Sequence, residues 1–78
     1  MSNIIQFRIF QEDGVYTADG INVPIVTEGK TFEELKKNIY EAVDLYFEDE
    51  KPESLGFGLS PSILTSFEFP TTLHESRA

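Results

Sequence analysis

One long amphipathic helix constrains this chain more than any other feature of its sequence. Residues 31–34 (TFEE) match a capping box, in which the Thr31 hydroxyl accepts from the amide of Glu34 and the Glu34 carboxylate reaches back to the amide of Thr31. The helix should end near Asp49, because Pro52 disfavours helical geometry in the residue before it. Apolar residues then recur in steps of three and four, a stripe broad enough to cover a sheet: Phe32, Leu35, Ile39, Ala42, Val43 and Tyr46.

Three segments before the helix and one after it have strand patterns. An Asp13-Gly14 pair after the first segment favours a tight hairpin turn. Short connections predict an antiparallel meander for the first three strands, and the right-handed crossover rule places the last strand parallel to the first. The sequence therefore predicts an α+β fold, β-β-β-α-β, with a four-stranded mixed sheet in the order 3-2-1-4 and one helix packed on one face. The predicted strands are Ile4 to Phe10, Val15 to Ala18, Ile25 to Glu28 and Ile63 to Phe69.

The face of the sheet away from the helix should be left to solvent or to another subunit. Ile5, Phe7 and Ile9 share one face of the first strand, which we assign to the core. Residues 51–61 have two prolines and two glycines and are predicted to be a loop. Its alternating apolar residues should pack over the core rim or against a partner. The candidates for an oligomer interface are Ile4, Phe10, Tyr16, Leu55, Phe57 and Leu59.

The chain is strongly acidic. It has 14 Asp and Glu against 6 Lys and Arg, and its formal net charge is −8. Such a surface repels phosphate backbones, so we expect no direct nucleic-acid binding, and it attracts a basic protein partner. The simpler alternative is that the charge serves solubility. The candidates for contact with a basic partner are Glu12, Asp13, Glu48, Asp49 and Glu50.

Chain length and composition predict one small domain. Residues 1–70 should form it, followed by a disordered tail over residues 71–78. Cysteine is absent, which excludes disulfides and thiolate metal sites and is compatible with the cytoplasm. The first ten residues have the pattern of neither a signal peptide nor a membrane span. Since oligomerisation commonly stabilises a core of this size, we expect a dimer.

No arrangement of residues in the sequence points to catalysis. His74 is the only histidine and falls in the predicted tail. Asp13 and Asp19 are explained by turns, and no spacing among the carboxylates indicates convergent metal ligands. We therefore expect a protein that is not an enzyme and has no cofactor or metal. The alternative to a non-catalytic protein is a metal-dependent nuclease, which would have to bind a divalent cation.

The stretch from Gln6 to Asp49 combines several local features: an acidic-Gly hairpin turn, a tyrosine on the second strand, a Pro-containing segment, a Thr-x-Gly-x-Thr turn, and a helix that opens with two glutamates. In this chain they are residues 12–14, Tyr16, Pro24, residues 27–31 and residues 33–34, with Glu41-Ala42-Val43 in the helix. With these features the stretch resembles the HicB-type antitoxins.

The resemblance implies a degraded RNase H-like fold without activity, used to cover a small basic ribonuclease toxin. Two departures limit it. Ile25-Val26 stands where many members have a Gly-Cys pair, and there is no room for the family's C-terminal DNA-binding domain, so promoter binding does not carry over. Two hypotheses follow: a stand-alone antitoxin domain, or an orphan homo-oligomer with a structural or regulatory role.

Overall fold

Over the residues that the structure describes, the chain forms one four-stranded sheet with one α-helix on one of its faces. The computed structural model describes residues 2–68 and Thr71; the rest of the predicted tail, including His74, lies outside them, as does Phe69. The sheet order is β3-β2-β1-β4, antiparallel except for the parallel pair β1–β4, which confirms the predicted fold class. The elements are β1 Ser2–Glu12, β2 Val15–Gly20, β3 Val26–Gly29, α1 Phe32–Tyr46, a short 3-10 helix Pro52–Leu55, and β4 Phe57–Phe67.

The hairpin between β1 and β2 turns through two residues with left-handed backbone. Asp13 has φ 53° and Gly14 has φ 77°, and Glu12 pairs directly with Val15. Two consecutive residues with positive φ are the requirement of the type I′ turn, whose twist matches that of the flanking strands. The predicted tight turn is confirmed, and it sets the register of β2 against β1.

The core lies between the sheet and α1 and is entirely apolar among the described residues. α1 packs over β3 and β2. The predicted buried face of β1 is confirmed, and the predicted face of α1 is confirmed at Leu35, Ile39 and Val43, whereas Phe32 is 42% exposed. The buried residues are Ile5, Phe7, Ile9, Ala18, Val23, Ile25, Leu35, Ile39, Val43 and Phe57.

The capping box forms with one change of partner. The Thr31 hydroxyl accepts from the Glu34 amide at 3.0 Å, as predicted. The Glu34 carboxylate accepts from the amide of Lys30 at 2.8 Å, one residue earlier than the expected Thr31. Two amides at the start of the helix are thereby satisfied, and α1 is fixed where β3 ends.

The strand boundaries before the helix differ from the prediction by one or two residues, and two later boundaries differ by three or more. α1 ends at Tyr46 instead of near Asp49, because the carboxylates of residues 48–50 are unfavourable at the negative end of the helix dipole. β4 begins at Phe57, inside the predicted loop. Pro61 is tolerated there because β4 is an edge strand, where a missing N–H need not break the ladder, and the register with β1 is irregular just before Ser62.

Candidate interaction surfaces

The two predicted acidic contacts lie at opposite ends of the domain. The hairpin tip with Glu12 and Asp13 is beside the start of α1, since Tyr16 pairs with Gly29 just before that helix. Residues 48–50 follow the other end of α1, whose 15 residues span about 22 Å. The structure therefore does not bring the five candidate residues together, and each end has to be considered separately.

The second half of α1 and the turn after it form a strongly acidic region. Between Asn38 and Glu50 there is no basic residue, and the last helical turn also lacks one. The helix dipole adds partial negative charge at the same place. We name this region the acidic helix end; its members, all exposed, are Glu41, Asp44, Glu48, Asp49 and Glu50.

An arginine occupies the middle of the open sheet face, opposite α1. Arg8 Nη2 lies 3.3 Å from Asp19 Oδ2, and Arg8 Nε lies 3.8 Å from Glu68 Oε1. The guanidinium carbon is 5.7 Å from the centroid of the Phe10 ring. Burying such a partly hydrated cluster in an interface would cost desolvation energy. Of the expected interface residues, Ile4 and Phe10 lie on this face, but the polar cluster makes it a poor one for dimerisation.

The structure corrects the placement of two other expected interface residues. Tyr16 points toward the helix side and packs against the core, because residues two apart on a strand share a face and Ala18 of the same strand is buried there. Phe57 is only 4% exposed, and its ring packs edge-on against Phe47 at 5.9 Å. Leu55 is 36% exposed in the 3-10 helix, whereas the side chain of Leu59 lies outside what the structure describes.

The outer edge of β4 is a candidate interaction surface; the sequence allowed an exposed sheet edge or face but did not identify which one. The Glu68 amide donates to the Ile9 carbonyl at 2.9 Å, so Leu64 and Ser66, which share its orientation, direct their backbone groups toward β1. Ile63 and Thr65 then direct their N–H and C=O groups outward. No described residue pairs with β4 on that side, which leaves backbone groups ready to accept another strand.

An apolar groove runs beside this edge. Because α1 lies over β2 and β3, the helix side of β4 is left partly uncovered. Tyr40 is 55% exposed there, and the Phe32 ring contacts Phe67 at a centroid distance of 5.6 Å. The groove encloses about 220 Å³ between α1 and β4, and its lining residues are Phe32, Lys36, Ile39, Tyr40, Ile63 and Thr65.

One sequence signal could have revealed the edge. The chain is 26% charged, yet no charged residue occurs from Gly56 to Phe67. Edge strands usually carry charges that prevent pairing with other chains. A long uncharged edge strand in such a charged chain lacks this protection, which favours pairing of the edge with another strand.

The described residues contain no group of three or more His, Cys, Asp or Glu side chains that could hold a metal ion. Over the same residues, no helix is long and apolar enough to cross a membrane. Comparisons of the chain with protein-family models, with curated proteins and with solved structures find no match.

Proposed function

We propose that this chain is a non-catalytic protein-interaction module that resembles the HicB-type antitoxins and acts in the cytoplasm. It binds a small basic ribonuclease toxin directly and thereby neutralises it. The observation that carries the proposal is the acidic helix end, where five exposed carboxylates occur without a basic residue among them. The β-β-β-α-β order supports it, since that is the order of the partner-binding domain that the sequence resembles.

The acidic helix end carries an excess of negative charge in the free chain, although Glu50 Oε1 accepts a hydrogen bond from the Ser54 hydroxyl at 3.1 Å. Three consecutive carboxylates, Glu48, Asp49 and Glu50, follow the negative end of the dipole, where cations are the favourable neighbours. A basic partner supplies these cations. Clustered charge of one sign also steers an oppositely charged partner and raises the association rate about 10-fold to 1,000-fold at low salt. The hairpin tip, with two carboxylates at the far end, is the weaker site.

Charge reversal tests this assignment. The partner is the small basic protein expected from the reading frame adjacent to this one. Changing residues 48–50 to Glu48→Lys, Asp49→Lys and Glu50→Lys should lower its association rate about tenfold or more at low salt. The measurement is stopped-flow or surface-plasmon kinetics at several salt concentrations, and the wild-type rate should fall as salt rises.

The matched control makes the same change in net charge elsewhere. Glu28→Lys, Glu33→Lys and Glu68→Lys alter three exposed carboxylates outside the acidic helix end. This control should retain most of the wild-type association rate. Equal losses in the two triple variants would mean that only net charge matters, and unchanged rates in both would remove the electrostatic contact altogether.

The second candidate function is the homo-oligomer without a toxin partner, with a structural or regulatory role. The observation that favours it is the uncharged outer edge of β4 beside the apolar groove. Both functions are compatible with a dimer, so the observation of a dimer does not distinguish them. Binding of the protein encoded by the adjacent reading frame does distinguish them.

A further inference from the structure

We propose that two copies of this chain pair through their β4 strands, antiparallel and about a two-fold axis at Leu64. The two four-stranded sheets would then form one continuous sheet of eight strands. This inference goes beyond the proposed function, since the pairing needs no toxin. It also moves the dimer interface from the open sheet face, where the sequence suggested it, to the edge of the sheet.

The backbone of β4 suits this pairing. Ile63 and Thr65 direct their N–H and C=O groups outward, as the Glu68–Ile9 hydrogen bond requires. In an antiparallel pair, residues opposite each other share a face and can exchange both backbone hydrogen bonds. Ile63 and Thr65 share the helix face, so Ile63 of one copy can pair with Thr65 of the second copy, and the reverse. The symmetric register therefore places Leu64 opposite its own equivalent.

An apolar side chain lies at or beside the axis on each face of the sheet, Leu64 on the open face and Ile63 on the helix face. Leu64 is 53% exposed on the open face, and in this register it contacts Leu64 of the second copy. On the helix face, the groove of each copy lies beside the axis. The two grooves merge into a shared depression that is mostly apolar, bordered by Phe32 and Tyr40 of both copies, with Lys36 of each copy also in its lining. Removing this surface from water favours association.

A second copy fits this edge better than a basic partner does. From Gly56 to Phe67 there is no charge to attract a basic chain, whereas two copies with a net charge of −8 each repel through most other surfaces. The antiparallel arrangement also places the two acidic helix ends at opposite ends of the dimer, which keeps their negative charges apart. The other sheet edge is less suitable, because β3 has only four residues and includes Glu28.

A cysteine introduced at the axis tests the register. The chain has no native cysteine. In this register Leu64 and its equivalent in the second copy form a non-hydrogen-bonded antiparallel pair. The two Cα atoms of such a pair are about 4.5 Å apart, which is close enough for a disulfide between cysteines. Leu64→Cys should form a covalent dimer of twice the 8.9 kDa chain mass under mild oxidation. Val26→Cys, on the same open face at the other edge, should remain largely unlinked.

Sedimentation of the full chain tests the interface energetically. The wild type should sediment as a dimer at micromolar concentration. Leu64→Lys places like charges opposite each other and should raise the dimer dissociation constant at least about tenfold. Val26→Lys introduces the same charge on a residue that is 69% exposed and should stay dimeric. Circular dichroism should show that both lysine variants are folded. If Leu64→Lys is unfolded, the comparison of cross-linking between Leu64→Cys and Val26→Cys tests the interface instead.

A wild-type monomer at micromolar concentration, or a cysteine cross-link at residue 26 in preference to residue 64, would overturn the β4 pairing. No toxin is present in these experiments, so their failure leaves the proposed function standing. Conversely, loss of toxin binding in the charge-reversal variant leaves the dimer unaffected, because residues 48–50 lie outside β4.

Discussion

Phe7→Ala should remove a large part of the folding free energy of this chain. Phe7 is completely buried at the centre of β1, with Ile5 and Ile9 on either side of it in the same layer. Truncating a buried phenylalanine costs about 3 to 5 kcal/mol, through lost transfer energy and the cavity that remains. A chain of this size has about 4 to 12 kcal/mol in total. Urea denaturation followed by circular dichroism should show a much lower midpoint with a similar m-value.

Phe10→Ala is the matched control, on the same strand but the opposite face. Phe10 is only half-buried, and its ring contacts the Arg8 guanidinium. Its truncation should cost less than half as much as that of Phe7. Equal losses would contradict the assigned faces of β1, because a shift by one residue would exchange the two phenylalanines between core and surface.

Gly29→Ala should be nearly as damaging, although it adds only one methyl group. A Cβ at this position would lie 2.5 Å from the backbone nitrogen of Leu35 and 2.8 Å from its Cα. These atoms belong to the first turns of α1 and cannot rotate away. The helix must move from β3, which also disturbs the fully buried Leu35 side chain. We expect a loss of about 3 kcal/mol or more, measured by the same urea denaturation.

Gly14→Ala separates steric contact from backbone strain. Gly14 has φ 77°, but a Cβ there would meet no atom within 4 Å. Its replacement should cost only the strain of a left-handed residue, about 1 to 2 kcal/mol. If Gly14→Ala proved the more destabilising of the two, the close approach of β3 and α1 would not be the main constraint at Gly29.

The fold was predictable from local patterns together with one topological rule. The capping box at Thr31 and the helix stripe mark α1. Asp13-Gly14 marks the hairpin, and the preference for right-handed crossovers then gives the parallel pairing of β1 and β4. Each of these signals lies within a few residues of sequence or follows from element order, so no tertiary information was needed.

The surfaces were less predictable because they depend on register. Whether Tyr16 faces the helix is decided by the pairing of Ile9 with Ala18, which the turn length fixes. The two prolines and two glycines of residues 51–61 predict a loop around Phe57, yet an edge strand tolerates Pro61. The outward direction of the Ile63 and Thr65 amides is visible only once β4 is paired with β1. The acidic helix end, in contrast, could be read from charge alone.

Neutralisation in a living cell tests the central claim most directly. The small basic protein expected from the adjacent reading frame is expressed alone, then together with this chain or with the triple variant Glu48→Lys, Asp49→Lys and Glu50→Lys, and growth is followed. We predict that the basic protein arrests growth, that the wild-type chain restores it, and that the triple variant restores it poorly although it is folded and equally abundant. Growth arrest that persists with the wild-type chain, or a neighbouring product that is not toxic, would contradict the proposed function.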